Sequence, residues 1–296
     1  MSRIARLLIV LAIAALGAAA PTAAADGHLR LIVFGDSLSD SGGDPAPSPP
    51  YFEGRWSNGY NWADDLAARF GLGAALIPSS LAGGTNYARN AARIFGTSGL
   101  VDQMAAYLED AHGQADKHAT YLIFIGGNDV RDALVGAITV PGFDPVAMVD
   151  RRLATLALAV GGLSSRGARH IVVLGLPDLS HLPGLPPPAA PLASFLSQRF
   201  NAGLKQIAAA LDRADGDATL VDVASLFDAI LADAAAGGPR FGITNTTGTC
   251  LTFSGGVPVE CLAPHAYLFW DSLHPTAHAH ELLADLVFGI IGRNRN

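Results

Sequence analysis

Three short motifs, met in order along the chain, contain the residue types of a nucleophilic serine site. Ser37 lies in a Gly-Asp-Ser-Leu-Ser motif, Asn128 in Gly-Gly-Asn-Asp, and Asp271 and His274 in Asp-Ser-Leu-His. A serine hydroxyl becomes a nucleophile when a histidine takes its proton and an aspartate orients that histidine. An asparagine amide can donate a hydrogen bond to the charge that develops on an attacked carbonyl oxygen. The motifs therefore predict a catalytic triad of Ser37, Asp271 and His274.

Each of these residues also has a common structural use. A serine at 37 or 39 can cap a helix, and an asparagine after glycine is frequent in turns. Three more histidines lie nearby, at positions 265, 278 and 280, but none has an aspartate three residues before it. The coincidence of three motifs is what favours the catalytic interpretation.

The segments around these motifs predict an α/β fold. Short apolar, β-branched and aromatic runs predict strands at 29–34, 120–125, 170–174 and 218–221. Helical spacing of apolar residues predicts helices at 62–70, 101–111, 148–163, 195–211 and 277–290. Alternating strands and helices imply a parallel sheet covered by helices, whose carboxyl edge is where such folds bind ligands.

Three segments interrupt this alternation. Residues 44–50 and 182–191 are rich in proline, so we expect surface loops. We expect the segments 44–56 and 182–191 to help shape a substrate pocket. Residues 237–264 have weak periodicity and predict a long loop rather than a second domain. This loop contains Cys250 and Cys261, the two cysteines of the chain, which we expect to form a disulfide. Two free thiols are the alternative. A structural zinc site is disfavoured because the pair lacks the further Cys or His ligands that zinc needs.

The N-terminus predicts export. Arg3 and Arg6 precede an apolar run at 7–20 and three alanines at 23–25, as in a cleavable secretory signal peptide. An uncleaved anchor is less favoured because the run is short for a bilayer span. We expect residues 1–25 to be removed and 26–296 to form one domain in the periplasm or outside the cell.

The charge of the chain argues against two classes of partner. The formal net charge is −7, and it becomes −9 when Arg3 and Arg6 leave with the signal peptide. An acidic surface disfavours nucleic acid and anionic lipid as partners. After signal cleavage we expect no membrane span and a small-molecule, lipid or carbohydrate ester as the substrate.

The motifs together resemble those of the GDSL, or SGNH, esterases and lipases. The similarity extends to Gly-Arg-Trp-Ser-Asn-Gly at 54–59 and Thr-Asn-Tyr-Ala at 85–88, and so covers nearly all of the predicted mature chain. It implies a flavodoxin-like three-layer α/β/α sandwich with a parallel sheet of about five strands. It also implies ester hydrolysis through an acyl-enzyme, with no metal or organic cofactor. The oxyanion would meet the Ser37 N–H, the Asn128 side chain and a backbone N–H of the second motif block.

That second block departs from the family pattern. The usual Asn-Tyr-Ala-x-Gly-Gly-Ala appears here as Asn-Tyr-Ala-Arg-Asn-Ala-Ala at 86–92. Alignment on Asn86 puts Ala91 at the position of the backbone donor. An alanine keeps the N–H but disfavours a positive φ, so the geometry of this donor is the main question that the sequence raises.

Other interpretations have specific weaknesses. An ordinary α/β-hydrolase needs Gly-x-Ser-x-Gly after several strands, but Ser37 follows the first predicted strand. A metal-dependent phosphatase could use Asp36 and Asp40, but these acids lack a recognisable ligand pattern. A glycan-binding module without activity is disfavoured because all three triad positions are filled. The natural ester stays open among carboxylesterase or lipase, phospholipase and carbohydrate acetylesterase substrates.

Overall fold

Four parallel strands form the centre of the computed structural model, which describes residues 29–43, 50–72, 77–214 and 216–293. The strands are β1 (Leu31–Gly35), β2 (Thr120–Phe124), β3 (His170–Leu174) and β4 (Asp217–Val221), in the spatial order β1-β2-β3-β4. All residues of β1 and β2 are buried, which explains their continuous apolar sequences. The predicted signal peptide lies outside the described residues.

A short extended segment, residues 85–89, adds to the free edge of β1. The N–H of Val33 donates to the carbonyl of Thr85 at 3.0 Å, and the N–H of Tyr87 donates to the carbonyl of Val33 at 2.8 Å. The N–H of Arg89 donates to the carbonyl of Gly35 at 3.1 Å. If this segment is counted as the second of five strands along the chain, the strands lie in the spatial order 2-1-3-4-5, as in flavodoxin-like sheets. The predicted fold class is confirmed, with the expected fifth strand reduced to this segment.

Seven helices of the described residues cover the sheet. They are α1 (Trp62–Arg69), α2 (Leu100–Asp110), α3 (Gly127–Thr139), α4 (Pro145–Ser165), α5 (Ala190–Asp212), α6 (Val223–Ala235) and α7 (Ala277–Arg293). Helix α1 packs on α7, and α4 packs against α2, α3 and α5, so helices lie on both sides of the sheet. None of these helices is long and apolar enough to cross a membrane.

Two of the helices were not predicted from the sequence. The first turn of α3 contains Gly127, Asn128 and Asp129, residues that are also typical of a turn. Helix α6 has apolar residues at 223, 226, 227, 230 and 231, the spacing of an amphipathic helix, so its sequence contained a signal that the predicted elements left out. Only α3 therefore depends on its tertiary setting rather than on local periodicity.

The prediction of one long loop at 237–264 was wrong. This segment contains β5 (Asn245–Thr249), β6 (Leu251–Ser254) and β7 (Val257–Glu260). Strand β5 pairs in parallel with β8 (Tyr267–Phe269), and β6 pairs with β7 as an antiparallel hairpin. Most side chains of the hairpin are exposed on both faces, so its sequence shows no alternation of buried and exposed positions. At 182–191 the loop prediction fails only at the end, where a 3₁₀ turn at Pro187–Ala189 leads into α5.

Candidate active site

Ser37 lies in a tight turn that follows β1. The carbonyl of Asp36 accepts hydrogen bonds from the N–H groups of Ser39 and Asp40, both at 3.0 Å. The carboxylate of Asp36 accepts from the N–H of Leu38 at 3.1 Å. These bonds turn the chain immediately after a buried strand. They leave Ser37 partly exposed at the carboxyl edge of the sheet.

His274 connects Ser37 to Asp271. Its Nε2 lies 3.0 Å from the Oγ of Ser37. Its Nδ1 lies 2.9 Å from Oδ1 and 2.8 Å from Oδ2 of Asp271. Ser37 and His274 are 237 residues apart in sequence, so the fold brings together the first and last of the three motifs. The arrangement allows a proton to pass from the serine hydroxyl to a histidine that is oriented by a carboxylate.

The local turn around Asp271 holds this carboxylate in its ionised form. Its Oδ1 accepts hydrogen bonds from the N–H groups of Leu273 and His274, both at 2.8 Å. Burial raises the pKa of Asp271, but the hydrogen bonds and charge of His274, together with the backbone donors, outweigh it and lower the pKa below its ordinary value. Asp271 is therefore charged at neutral pH.

Two aromatic residues contact this pair, and the sequence analysis did not identify either contact. The hydroxyl of Tyr51 donates to Oδ2 of Asp271 at 2.8 Å. The ring of Trp56 lies against the imidazole of His274 with ring centroids 5.0 Å apart, and Tyr51 and Trp56 are themselves 5.2 Å apart. The sequence placed both residues in a pocket-shaping segment. Their partners, more than 200 residues away, gave no local signal.

The disulfide supports the same corner of the site. Cys250 and Cys261 are bonded, as the sequence predicted. They join the two ends of the β6–β7 hairpin, where the N–H of Cys261 donates to the carbonyl of Cys250 at 2.8 Å. Cys250 forms a buried cluster with Trp270, against which Tyr51 packs. The covalent link thus stabilises the packing beneath the tyrosine that contacts Asp271.

Asn128 lies in the first turn of α3, one residue after the glycine pair. Its Nδ2 donates to the carbonyl of Ala92 at 3.0 Å, and its Oδ1 accepts from Arg131 at 3.3 Å. An amide nitrogen has two N–H donors, so one is available to a ligand. The structure thereby joins the second and third motif blocks. The motifs at Asp36 and Gly127 also approach each other, since a Cβ on Gly127 would lie 4.0 Å from Oδ2 of Asp36.

Gly126 fixes the start of α3. Its φ is +115°, a conformation that L side chains rarely adopt. A Cβ at this position would also lie 2.2 Å from the ring of Phe200 in α5. Both the backbone and the packing therefore require glycine immediately before the Gly127-Asn128 turn.

Ala91 adopts a left-handed conformation, which is unfavourable for alanine but not for the glycine of the family pattern. Its φ is +56°, and the residue is exposed. The neighbouring Asn90 donates its backbone N–H to Asp40 at 2.8 Å. Within the described parts of the chain, the backbone N–H groups of Ala91 and Ser37 have no hydrogen-bond acceptor. Both groups can therefore serve a ligand.

Two buried carboxyls lie close behind these residues. Burial raises the pKa of Asp36 to about 7, although the Leu38 N–H and the charge of His274 oppose the shift. Burial likewise raises the pKa of Asp129 to about 6, opposed by the N–H of Ile94 and by Arg152. The Nε of Arg152 lies 3.0 Å from Oδ1 of Asp129 as an ion-pair contact. Both carboxyls also accept hydrogen bonds from the backbone around the site, Asp36 from the N–H of Leu38 and Asp129 from the N–H of Ile94.

The acids suggested for a metal-dependent alternative bind backbone groups. Oδ1 of Asp40 accepts from the N–H groups of Gly42 and Gly43 at 2.9 and 2.7 Å, and its Oδ2 accepts from Asn90. Asp36 accepts from Leu38. Among the residues that the structure describes, no group of three or more His, Cys, Asp or Glu side chains is arranged to hold a metal ion. These contacts give Asp36 and Asp40 a structural role in the turn.

Comparison with known proteins gives one family over most of the chain. A family model described as GDSL-like lipase/acylhydrolase matches residues 31–287. Esterase EstA of Pseudomonas aeruginosa is 29% identical over 325 residues, which cover 92% of this chain and 48% of that protein. Lipase 1 of Photorhabdus luminescens is 24% identical over 343 residues, which cover 90% and 50%. The chain spans about half the length of these relatives.

The fold has counterparts among solved structures. A catalytic mutant of an acetylxylan esterase from Geobacillus stearothermophilus matches with a TM-score of 0.51 and 19% identity. The match covers 89% of this chain and 94% of that one. At this identity the comparison shows a shared fold and no more.

Proposed function

Because this chain belongs to the GDSL-like lipase/acylhydrolase family, we propose that it hydrolyses carboxylic esters through an acyl-enzyme on Ser37. The observation that carries this proposal is the hydrogen-bonded line from Asp271 through His274 to Ser37, with contacts of 2.8 and 3.0 Å. These distances are within the range needed for proton transfer between a nucleophile and its base.

In the acylation step, the Oγ of Ser37 attacks the ester carbonyl carbon while His274 Nε2 takes the hydroxyl proton. The carbonyl oxygen gains the negative charge of a tetrahedral intermediate. The N–H groups of Ser37 and Ala91 and the remaining amide N–H of Asn128 donate to this oxyanion. His274 then gives its proton to the leaving alcohol oxygen, and the carbon–oxygen bond of the ester breaks. Asp271 stabilises the charged imidazole between the two transfers.

In the deacylation step, a water molecule replaces the alcohol. His274 takes a proton from this water as the water oxygen attacks the acyl carbon. Collapse of the second tetrahedral intermediate breaks the bond to Ser37, and His274 returns the proton to the serine oxygen. The products are a carboxylic acid and the regenerated enzyme. No step requires a metal or an organic cofactor.

A fluorophosphonate probe tests the assignment of the nucleophile. We expect the probe to label Ser37 in the wild-type protein, and Ser37→Ala to abolish both labelling and p-nitrophenyl ester hydrolysis. Ser272→Ala is the matched control, since Ser272 lies two residues from His274 and is exposed. Labelling of another serine, or full activity in a folded Ser37→Ala variant, would contradict the proposal.

The disulfide supports an oxidising compartment for the enzyme. Disulfides persist outside the cytosol and are rare within it. Together with the predicted signal peptide, the Cys250–Cys261 bond supports a location in the periplasm or outside the cell. Intact-mass analysis and N-terminal sequencing of the exported protein test both points, with a mature start expected at Asp26. Detection of the full chain with two thiols in the cytosol would contradict this location.

A further inference from the structure

An apolar cavity of about 110 Å³ lies at the carboxyl edge of the sheet, between the strand ends and helices α6 and α7. Phe124 at the end of β2, Leu226 and Ile230 of α6, and Leu283 of α7 contribute to its wall. Phe124 and Ile230 are buried within the core. A wider groove of about 570 Å³ between α2 and α4 includes none of the residues of the candidate site. The smaller cavity does not include Ser37, Asn128, Asp271 or His274 themselves, but a residue from each of the three motifs lines it, so it is the one relevant to a substrate.

The cavity begins next to each proposed catalytic group. Leu38, Gly127 and Leu273 line it. Leu38 directly follows Ser37, Gly127 directly precedes Asn128, and Leu273 directly precedes His274. Consecutive Cα atoms are about 3.8 Å apart, so the wall starts within one residue of the nucleophile, the oxyanion donor and the base. An acyl group attached to the Ser37 oxygen would have its chain within reach of this space.

The cavity wall offers no free charge to a ligand, which favours an uncharged occupant. Among the described residues that line it, the titratable ones are Asp178 and His280. The carboxylate of Asp178 accepts from Ser194 at 2.6 Å and from the N–H of Ser180 at 2.9 Å, so its charge is directed to these donors. Burial lowers the pKa of His280 to about 3, with a further contribution from the charge of His274, so its ring is neutral at pH 7. A phosphate or carboxylate would find no cation here, whereas a hydrocarbon chain would gain from burial.

The size of the cavity limits that chain. An apolar cavity of roughly 150 Å³ holds one benzene molecule, so about 110 Å³ holds a chain of about four carbons. We propose that this cavity binds the acyl chain of the ester and restricts the enzyme to short acyl groups near butyryl. This proposal rests on the proposed ester hydrolysis at Ser37, and it adds a substrate class that the catalytic motifs leave open.

Changes in the volume of the cavity test this proposal. Ala279→Leu adds bulk from α7 and should lower the ratio of kcat/KM for p-nitrophenyl butyrate to that for the acetate by about tenfold, as expected when a hydrocarbon pocket loses space for a methylene or two. Leu226→Ala enlarges the cavity from α6 and should raise the octanoate-to-butyrate ratio by a similar factor. The matched control is Ala105→Leu in the α2–α4 groove, which should leave both ratios unchanged.

The outcomes separate this inference from the proposed function. Unchanged ratios in a folded Leu226→Ala protein would overturn the acyl assignment even if Ala279→Leu fails to fold. The assignment would also be wrong if either cavity variant instead changes the ratio of rates for ethyl butyrate and benzyl butyrate, which differ only in the alcohol. The cavity would then bind the leaving group. Wild-type protein that hydrolyses none of the esters, or a fully active Ser37→Ala variant, would contradict the proposed function itself.

Discussion

The hydroxyl of Tyr51 donates a 2.8 Å hydrogen bond to Oδ2 of Asp271, the oxygen that also contacts Nδ1 of His274. Asp271 thus accepts hydrogen bonds from the backbone on one oxygen and from Tyr51 on the other. Hydrogen bonds to both oxygens restrict rotation of the carboxylate, and Trp56 restricts the imidazole from its ring face. We therefore expect the aromatic pair to position His274.

Tyr51→Phe should therefore lower kcat and leave KM nearly unchanged. The variant removes one hydrogen bond to a charged group, which corresponds to a decrease in kcat of about tenfold. Tyr60→Phe is the matched control, because Tyr60 packs on Phe52 and Arg55 and does not contact the triad. Steady-state kinetics on a p-nitrophenyl ester, with melting curves of both variants, make the measurement. Equal kcat values in the two folded variants would show that the bond to Asp271 has no effect on catalysis.

Asp36→Asn should stabilise the protein more at pH 8 than at pH 5. Burial raises the pKa of Asp36 from 3.8 to about 7, so between these values the folded state holds a proton that the unfolded chain has released. Stability contributed by this group therefore falls as the pH rises through that window. An amide keeps an acceptor for the Leu38 N–H without the buried charge. The difference in the effect on unfolding free energy between the two pH values should be on the order of 2 kcal/mol.

A surface aspartate with the opposite shift controls this experiment. The hydrogen bond from Arg199 lowers the pKa of the exposed Asp150, so Asp150→Asn should give no gain at pH 8. Chemical denaturation at both pH values measures the two variants. If Asp36→Asn changes the unfolding free energy equally at pH 5 and pH 8, then Asp36 does not titrate in this range.

Asn128→Ala should lower kcat by on the order of 10² to 10³ with little change in KM, since an oxyanion donor acts mainly on the transition state. The variant also loses the 3.0 Å bond to the carbonyl of Ala92, so a melting curve must accompany the kinetics. Arg131→Ala is the control, because Arg131 contacts the Oδ1 of Asn128 and lies outside the proposed oxyanion site. A change confined to KM would make Asn128 a residue for ground-state binding.

The sequence predicted the sheet well because its strands are buried on both faces. The segment at 170–174 was predicted with the bounds that β3 has, and the other three strand predictions differ by one or two residues at one end or both. Buried parallel strands have continuous apolar sequences that are easy to identify. The β6–β7 hairpin, whose side chains are largely exposed, lacks such a pattern and was predicted as a loop.

The residues of the candidate site were likewise predictable from the sequence only in part. Asp271 and His274 are three residues apart, so their spacing alone could pair them, whereas the link to Ser37 was predicted from the coincidence of three motifs and not from spacing. The contact of Tyr51 with Asp271 spans 220 residues and involves a tyrosine beside a proline-rich tract, so no local rule predicts it. The catalytic roles of Ser37, Asp271 and His274 stay predictions until the variants are measured.

Ala91 is the position at which sequence and structure together raise the sharpest question. A glycine occupies this position in the family pattern, and here an alanine has a φ of +56°. The left-handed conformation costs a non-glycine residue roughly 1 kcal/mol. Ala91→Gly should remove this cost, offset in part by the greater freedom of glycine in the unfolded chain, and should preserve kcat because the backbone N–H is retained.

A proline at this position would not test the donor, since its φ near −65° cannot match +56° and the chain would move. Replacement of Ala91 by lactic acid, through nonsense suppression, exchanges only the N–H for an ester oxygen and keeps the methyl group. If the Ala91 N–H donates to the oxyanion, this exchange should lower kcat by a factor comparable to Asn128→Ala, about 10² or more. The same exchange at Ala82, an exposed alanine in the 3₁₀ turn after Ser79, controls for the backbone ester. Near-normal kcat in a folded Ala91 ester variant would mean that the oxyanion is held by Ser37 and Asn128 without this residue.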